Sequence, residues 1–172
     1  IFYLFLSIFL APLAVYRMLR YNRYRKGWDN RSGNIARKHP EKRSIWLHAV
    51  SVGEGNATRT IVKELETKFP DFEVVISTTT DTGFERANKI YAPQHCVFYF
   101  PLDFSVVMKR AFGNIRPAIC LLMELEVWPN FSQTAYEQNI PVVVVNGRIT
   151  QRSCSRYKVI KPVARKIFEK IT

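Results

Sequence analysis

The sequence contains few residues of the types that build metal centres and disulfide frameworks. It has three cysteines and three histidines in 172 residues. Cys96, Cys120 and Cys154 are widely spaced and odd in number, and the first two lie in apolar runs where a thiol behaves as a small hydrophobic group. No two histidines have the spacing of metal ligands. The sequence therefore predicts reduced core cysteines, no disulfide and no metal site.

Acidic residues are scarce relative to basic ones, and the imbalance is concentrated in one segment. Lysine and arginine total 26 against 14 aspartate and glutamate, which gives a formal charge of +12. Residues 17–43 hold ten of the basic residues but only two acidic ones, Asp29 and Glu41. The excess charge therefore belongs mostly to this segment and not to the rest of the chain.

Residues 1–16 lack any charged side chain and are rich in Phe, Leu and Ile. A membrane-spanning helix needs about 20 apolar residues, so the stretch is short for one. A signal peptide is disfavoured because no small-residue cleavage site follows and the positive charges lie on the wrong side. A buried core helix is the alternative, but no polar face interrupts the run. We predict a membrane anchor over residues 1–19 and a basic juxtamembrane linker over 20–44, which the positive-inside rule assigns to the cytoplasmic side.

The basic linker has two interpretations. Lysine and arginine beside an apolar anchor are attracted to anionic headgroups, each contributing about 1 kcal/mol near the surface. The tyrosines and arginines interleaved over residues 20–26 are also compatible with binding to nucleic acid. Adjacency to the anchor favours an anionic membrane surface, and no nucleic-acid partner is expected.

From residue 45 onward, strand and helix patterns alternate. The predicted strands are 45–50, 73–78, 96–100, 118–123 and 141–145, and the predicted helices are 56–68, 82–91, 104–112 and 129–138. The third and fifth strands are apolar almost throughout, as expected of strands covered on both faces. Repetition of this kind with short connections predicts an α/β fold with a parallel, Rossmann-like sheet over residues 45–172.

The loops that follow the predicted strands differ from those that precede them. The preceding loops contain ordinary turn formers. The following loops collect hydroxyls, carboxylates, glycines and an arginine, over residues 51–55, 77–83, 101–103, 124–130 and 146–153. Because ligands of open α/β sheets bind beyond the carboxyl ends of the strands, we predict the functional site at this edge.

Two glutamates at this edge are candidate catalytic groups. Glu54 follows the first strand, and the alternative role is to cap the next helix, whose dipole would lower its pKa and weaken it as a base. Desolvation, or a second carboxylate such as Glu124, would raise that pKa again. For Glu124, which follows the fourth strand, a structural salt bridge carries comparable weight, with Arg148 as the plausible partner.

The threonine run that follows the second strand also has two interpretations. Thr80 or Asp81 is suited to cap the next helix, since Ser, Thr and Asp are preferred caps. The four successive hydroxyl residues Ser77–Thr80 with the following Gly83 exceed what a cap requires, and they offer neutral hydrogen-bonding groups of the kind a sugar needs. Both roles remain open at this point.

Five motifs together resemble a known family. The segments Ser51-Val-Gly-Glu54, Thr78-Thr-Thr-Asp-Thr-Gly83, Pro101-Leu-Asp103, Met123-Glu-Leu-Glu-Val-Trp-Pro-Asn130 and Asn146-Gly-Arg-Ile-Thr-Gln-Arg-Ser153 resemble, in this order, the amino-terminal half of bacterial 3-deoxy-D-manno-oct-2-ulosonic acid (Kdo) transferase. The resemblance implies the acceptor-side domain of a two-domain GT-B glycosyltransferase of lipopolysaccharide assembly. The donor-binding carboxy-terminal domain would lie outside this chain, which alone would be inactive.

The resemblance also implies a reaction and its site. Kdo would pass with inversion from CMP-Kdo to a lipid A precursor at the cytoplasmic face of the inner membrane, without a metal or other cofactor. Glu54 matches the general base, and Glu124 matches a residue that stabilises the transition state. The predicted substrate-binding positions are Ser51, Gly53, Thr79, Thr80, Gly83 and Arg148.

The sequence departs from the commonest family pattern at Gly55-Asn56, Leu125 and Gly147. None of these departures removes a carboxylate, so they bear on the expected substrate preference before the expected activity. Two alternatives remain beside the Kdo transferase. One is another membrane-anchored GT-B glycosyltransferase with a different nucleotide sugar, and the other is a non-catalytic membrane-docking module.

Overall fold

The computed structural model describes residues 26–49, 55–125, 127–145, 147, 165 and 167–171, with the side chains of residues 55–57 excepted. In chain order its elements are α1 (Trp28–Arg31), β1 (Arg43–His48), α2 (Gly55–Lys68), β2 (Phe72–Thr78), α3 (Asp81–Tyr91), β3 (Cys96–Tyr99), α4 (Ser105–Ile115), β4 (Pro117–Leu122), α5 (Pro129–Glu137) and β5 (Val142–Val144). The predicted alternation of five strands and four helices is confirmed, with ends shifted by at most three residues.

The five strands form one parallel sheet in the order β3-β2-β1-β4-β5. From β1 the chain adds β2 and then β3 on one side of the sheet. It then returns to the other side of β1 and adds β4 and β5 there. The side on which strands are added therefore changes between β1 and β4. In open parallel sheets of this kind, ligands bind in the crevice at such a switch point, outside the carboxyl ends of the strands.

Apolar side chains cover both faces of the sheet because successive residues of a strand point to opposite sides. One layer surrounds Trp46, whose ring centroid lies 5.1–5.8 Å from those of Phe131, Phe112 and Phe98. The other layer joins β1 and β2 to α2 and α3 and contains Ile45, Leu47, Val62, Val74, Ile76 and Ala87. Each face is thus sealed by helices, which leaves the strand ends as the place for polar chemistry.

Local sequence signals explain where α4 and α5 begin and end. Pro129 occupies the first turn of α5, where its missing N–H has no helical partner to lose. Helix α4 stops before Pro117, and Arg116 takes a left-handed conformation (φ 48°) with its N–H bonded to Phe112 O. These two signals set the lengths of the connections on either side of β4.

Residues 26–42, here called the strap, pack along the margin of the sheet. At the carboxyl end of β3, Tyr99 N donates to Asn30 Oδ1 (3.4 Å), and Leu102 N donates to Arg31 O (2.9 Å). Further along, Ile35 is buried in the Trp46 layer. The strap therefore runs from the carboxyl edge of the sheet back to its amino edge before it enters β1.

Two charged contacts and a glycine fix the strap in place. At the amino edge, Arg37 Nε donates to Glu73 Oε2 (2.8 Å), and Lys38 N donates to Glu73 Oε1 (2.9 Å). Gly33 has φ 90°, and a Cβ there would lie 2.6 Å from Val107 O. Only glycine permits both that backbone angle and that approach to α4.

The strap occupies most of the predicted linker over residues 20–44. From residue 26 onward the segment is packed, two of its arginines have buried side chains, and β1 begins at Arg43. The juxtamembrane position of this segment stays a prediction. The predicted anchor, residues 1–19, and the first part of the linker lie outside the described residues. Among the helices that are described, none has the length and apolar character needed to cross a bilayer.

The prediction of reduced core cysteines is confirmed for two of the three. Cys96 and Cys120 are buried and free. Burial raises the pKa of Cys96 to about 11 and raises that of Cys120 well above its ordinary value. Both thiols therefore stay protonated and unreactive. Cys154 lies outside the described residues.

Candidate active site at the carboxyl edge of the sheet

The carboxyl edge is built by backbone bonds that continue one residue beyond the strands. Ala49 N donates to Ser77 O (3.0 Å), and Met123 N donates to His48 O (2.9 Å). Phe100 N and Val145 N likewise donate to the neighbouring strands, to Thr78 O and Leu122 O. The loops that carry the predicted site residues therefore start side by side from a rigid ladder.

Four of the predicted site residues fall within the described residues and four do not. Thr79, Thr80, Gly83 and Glu124 are described, and Ser51, Gly53, Glu54 and Arg148 are not. Ala49, however, fixes where the chain leaves β1 on its way to Glu54. The described residues bring the predicted threonine loop and Glu124 to the same edge, on either side of β1.

Glu124 follows β4 at the switch point. It is half-buried and comes directly after Met123, whose N–H is bonded to the last residue of β1. The strand ends at Leu122, so Glu124 lies in the loop that follows it. The carboxylate of Glu124 therefore starts from the strand end adjacent to the one that leads to Glu54.

Thr80 and Gly83 have a structural role. Thr80 is the N-cap of α3, and its Oγ1 accepts a hydrogen bond from Gly83 N at 3.0 Å. This is the capping arrangement that the sequence allowed. Gly83 is buried at the start of the helix. The two residues thus shape the loop, and Thr79 and Thr78 are left as its other hydroxyl groups.

The hydroxyls of Thr78 and Thr79 are buried and have no hydrogen-bond partner among the described residues. The indole Nε1 of Trp128, in the loop after β4, is also buried without a hydrogen-bond partner among these residues. Buried polar groups are nearly always bonded in native proteins, so such groups call for an explanation. Two of these groups lie at the end of β2 and directly after it, the third lies at the start of α5, and a polar ligand bound at this edge could supply their missing partners.

Arg31 is a buried cation at this edge that the sequence did not reveal. Its side chain is 3% exposed, its Nη2 donates to Thr79 O (3.3 Å), and its guanidinium lies 4.5 Å from the ring centroid of Tyr99. A longer ion pair of 3.9 Å joins it to Asp81. Arg31 thus ties α1 to the threonine loop, and no periodicity or motif marks it in the sequence.

Tyr99 packs against Arg31 and against residues on two other segments of this edge. Its ring stacks on that of Phe84 with centroids 4.2 Å apart, and a Cβ on Gly27 would lie 2.0 Å from its Cδ2. Burial, together with the nearby carboxylate of Asp81, raises the pKa of Tyr99 to about 12. The phenol is therefore neutral at physiological pH and serves to position the loop.

His48, at the end of β1, belongs to a second buried polar group. Its Nδ1 lies 2.9 Å from Ser77 Oγ, which also accepts a hydrogen bond from Trp46 Nε1 at 2.8 Å. The imidazole ring packs at a tilt of 37° against Phe100, with centroids 4.2 Å apart. This network fixes the last residue of β1 before the chain turns toward Glu54.

Asp103 links two of the motifs by capping α5. Its carboxylate accepts hydrogen bonds from Phe131 N (2.8 Å) and Asn130 N (3.0 Å), and Asn130 Nδ2 donates to Asp103 O (2.6 Å). Burial raises the pKa of Asp103, although these hydrogen bonds act in the opposite direction. The aspartate of the Pro-Leu-Asp motif thus holds the loop after β3 against the loop after β4.

Substitution of Asp103 by Ala is expected to lower the free energy of unfolding by about 2 kcal/mol, at the upper end for loss of a helix cap. Two buried N–H groups of α5 would lose their acceptor. Asp103→Asn, which keeps one carbonyl oxygen, should cost less. Urea unfolding followed by circular dichroism measures both variants. Equal stability of Asp103→Ala and the unsubstituted chain would contradict the assigned cap.

A family comparison identifies this arrangement of motifs. The sequence profile of the family described as 3-deoxy-D-manno-octulosonic-acid transferase (kdotransferase) matches residues 26–172. The chain belongs to this family. The matched range begins at the strap and includes all five motifs, so the Kdo transferase resemblance of the sequence is confirmed.

Individual relatives agree with the Kdo transferase assignment. The chain is 34% identical over 140 residues to a 3-deoxy-D-manno-octulosonic acid transferase of Haemophilus influenzae, a match that covers 81% of this chain and 33% of the relative. It is 28% identical over 167 residues to the transferase of the same name from Chlamydia pneumoniae, covering 95% and 38%. The chain thus spans about a third of the length of these Kdo transferases.

Among solved structures, the chain is similar to a UDP-N-acetylglucosamine 2-epimerase. The TM-score is 0.47 at 14% identity, and the similarity covers 73% of this chain and 40% of the epimerase. This value is too low to add to the Kdo transferase assignment.

Proposed function

We propose that this chain is the acceptor-side half of a GT-B glycosyltransferase that transfers Kdo from CMP-Kdo to a lipid A precursor. The observation that carries the proposal is the hydrogen bond of 2.9 Å between Met123 N and His48 O at the switch point of the sheet. It joins the strand end that precedes Glu124 to the strand end that leads to Glu54. Glu54 and Glu124 follow these two strand ends in the sequence, which supports the proposal that they act at one site.

The proposed reaction is a direct displacement at the anomeric carbon of Kdo. Glu54 takes the proton from a primary hydroxyl of the glucosamine disaccharide as the oxygen attacks, the new glycosidic bond forms with inversion, and CMP leaves with the bonding electron pair. A positioned base contributes typically about 10²- to 10⁴-fold to the rate. Glu124 stabilises the charge that develops in the transition state.

No metal or other cofactor is needed in this proposal, because the phosphate of the departing CMP is already ionised. Within the described residues, no group of three or more His, Cys, Asp or Glu side chains could hold a metal ion. Transfer that persists in excess chelator would support the metal-free reaction. Loss of transfer with chelator, and recovery on addition of a divalent cation, would contradict it.

We further propose that the protein works at the cytoplasmic face of the inner membrane. The basic segment of residues 17–26 follows an apolar stretch, and its positive charges favour the cytoplasmic side and anionic lipid headgroups. A lipid acceptor is presented at that surface. The acceptor and the protein would therefore be concentrated in the same layer.

A donor assay tests the proposal against its alternatives. The full-length protein is incubated with a lipid A precursor and either CMP-Kdo or a set of UDP-sugars, and the glycosylated lipid is measured by mass spectrometry. We expect transfer from CMP-Kdo alone. Transfer from a UDP-sugar would indicate a different glycosyltransferase of the same fold, and no transfer from any donor would favour a membrane-docking module.

A further inference from the structure

Arg31 is a buried cation that the proposed mechanism does not use. Its side chain is 3% exposed, it lies at the end of α1, and its guanidinium reaches the threonine loop after β2. A charge removed from water to this degree is costly unless several partners compensate for it. The partners of Arg31 therefore indicate what the residue does.

The guanidinium of Arg31 contacts three segments of the chain. Its Nε donates to Lys26 O at 3.3 Å, and its Nη2 donates to Thr79 O at 3.3 Å. The carboxylate of Asp81 lies 3.9 Å from Nη2, and the guanidinium carbon lies 4.5 Å from the ring centroid of Tyr99. One planar group thus joins the strap, the threonine loop and the end of β3. A lysine, which carries a single ammonium on a flexible stem, cannot make these contacts together.

Thr79 is the residue of the threonine loop whose backbone Arg31 binds. On one side of it, the carbonyl of Thr78 is bonded into the sheet by an N–H of the neighbouring strand segment. On the other side, Thr80 caps α3 through its hydroxyl. Thr79 lies between these two fixed points, and the bond from Arg31 to its carbonyl sets the direction of the peptide there. Arg31 therefore controls where the side chain of Thr79 leaves the strand end.

The hydroxyl of Thr79 is buried and has no hydrogen-bond partner in the part of the chain that the structure describes. Such a group gains a hydrogen bond from a ligand only if it stays directed at the place where the ligand binds. A loop that is not held there must be ordered when the ligand binds, and the cost of that ordering weakens binding. The contacts of Arg31 remove this cost in advance.

We infer that Arg31 is a positioning residue for the transfer reaction, because it holds the threonine loop with the Thr79 hydroxyl placed for the sugar of the acceptor. The inference rests on the proposed function, which supplies that acceptor. Arg31 takes no part in the chemical step and acts through Thr79. Its loss should therefore weaken acceptor binding without slowing the step at Glu54, so that KM rises while kcat is retained.

Steady-state kinetics of Arg31→Lys test this inference. Full-length protein in mild detergent is given saturating CMP-Kdo and a range of concentrations of dispersed lipid A precursor. We expect Arg31→Lys to raise KM for the acceptor about tenfold and to change kcat by less than about twofold. Arg31→Gln, which is neutral and shorter, should show the same pattern and replaces the lysine variant if that protein does not fold. Circular dichroism checks that each variant is folded at the assay temperature.

Arg37→Lys is the matched control. Arg37 is a second buried arginine of the strap, with a side chain that is 1% exposed, but it binds Glu73 at the amino edge of the sheet. The same substitution there perturbs the strap without touching the threonine loop, so KM and kcat should stay within about twofold of the unsubstituted values. An equal rise of KM in Arg31→Lys and Arg37→Lys would mean that both arginines only stabilise the fold, and the inference would be wrong.

A double-mutant cycle with Thr79→Val tests whether Arg31 acts through the Thr79 hydroxyl. Valine keeps the branched shape of threonine and removes the hydroxyl. We expect Thr79→Val to raise KM, and the addition of Arg31→Lys to raise it further by less than about twofold, because the group that Arg31 positions is already absent. Effects that multiply in the double variant would show that Arg31 acts elsewhere. That result, or an unchanged KM in Arg31→Lys alone, would overturn the inference.

Hydrogen exchange distinguishes failure of this inference from failure of the proposed function. The N–H groups of Gly83 and Phe84 bond to Thr80, so release of the loop in Arg31→Lys should speed their exchange, whereas Arg37→Lys should not. Absence of transfer by the unsubstituted protein would contradict the proposed function, and exchange would still show whether Arg31 holds the loop. Unchanged exchange in Arg31→Lys, or transfer with an unaltered KM, would contradict this inference alone.

Discussion

Substitution of Glu54 by Gln in the full-length protein is expected to reduce the rate constant of Kdo transfer by about 10²- to 10⁴-fold, the usual contribution of a positioned base. Glutamine has nearly the same shape as glutamate but cannot take a proton at neutral pH. Because the acceptor hydroxyl would still bind, KM for the lipid acceptor should change little. Initial rates measured at saturating CMP-Kdo over a range of acceptor concentrations separate the rate constant from KM.

Glu64→Gln provides the matched control for this experiment. Glu64 lies on α2, the helix that follows Glu54, and its exposed side chain pairs with Lys68 at 3.0 Å. The same chemical change on that surface should leave transfer intact. A folded Glu54→Gln protein with the full rate of transfer would exclude Glu54 as the base, and with it the mechanism proposed for this site.

Substitution of Glu73 by Ala is expected to lower the free energy of unfolding by about 3–5 kcal/mol, the cost of leaving one member of a buried ion pair uncompensated. The side chains of Arg37 and Glu73 are 1% and 2% exposed. Without Glu73, Arg37 Nε and the N–H of Lys38 lose their acceptor. Urea unfolding of the chain in mild detergent, followed by circular dichroism, measures the change.

Two further variants separate burial of charge from the loss of a contact. Glu64→Ala breaks an exposed ion pair on α2 and should cost less than about 1 kcal/mol. Arg37→Met/Glu73→Leu removes both buried charges, and it should be clearly more stable than Glu73→Ala because no charge is left unpaired. If Glu73→Ala costs no more than Glu64→Ala, the strap is not held by this ion pair.

The sequence was sufficient to predict the sheet because its signals are local. Apolar runs such as that over residues 142–145, and helix starts such as Pro129, depend on neighbouring residues only. Parallel strands with short connections then bring all strand ends with polar loops to one edge. The position of Thr79 and Glu124 at that edge therefore followed from periodicity and topology.

The strap and its contacts could not be predicted in this way. Arg31 bonds to Thr79, 48 residues away, and Arg37 bonds to Glu73, 36 residues away. In composition they are two of ten basic residues in a polar stretch, and nothing local distinguishes a buried arginine from an exposed one. Asp103 was visible as part of a motif, but its role as the cap of α5 depends on how two loops meet in space.

The strap has a consequence for the behaviour of the protein in concentrated solution. Phe100 N bonds to β2, so by alternation the N–H of Tyr99 points to the open side of β3, where Asn30 Oδ1 occupies it. Backbone N–H and C=O groups that have no partner along an edge strand can pair with a strand of another molecule. We therefore expect a proteolytic cut that releases residues 26–36 to promote aggregation, because the strap covers the open side of the outer strand.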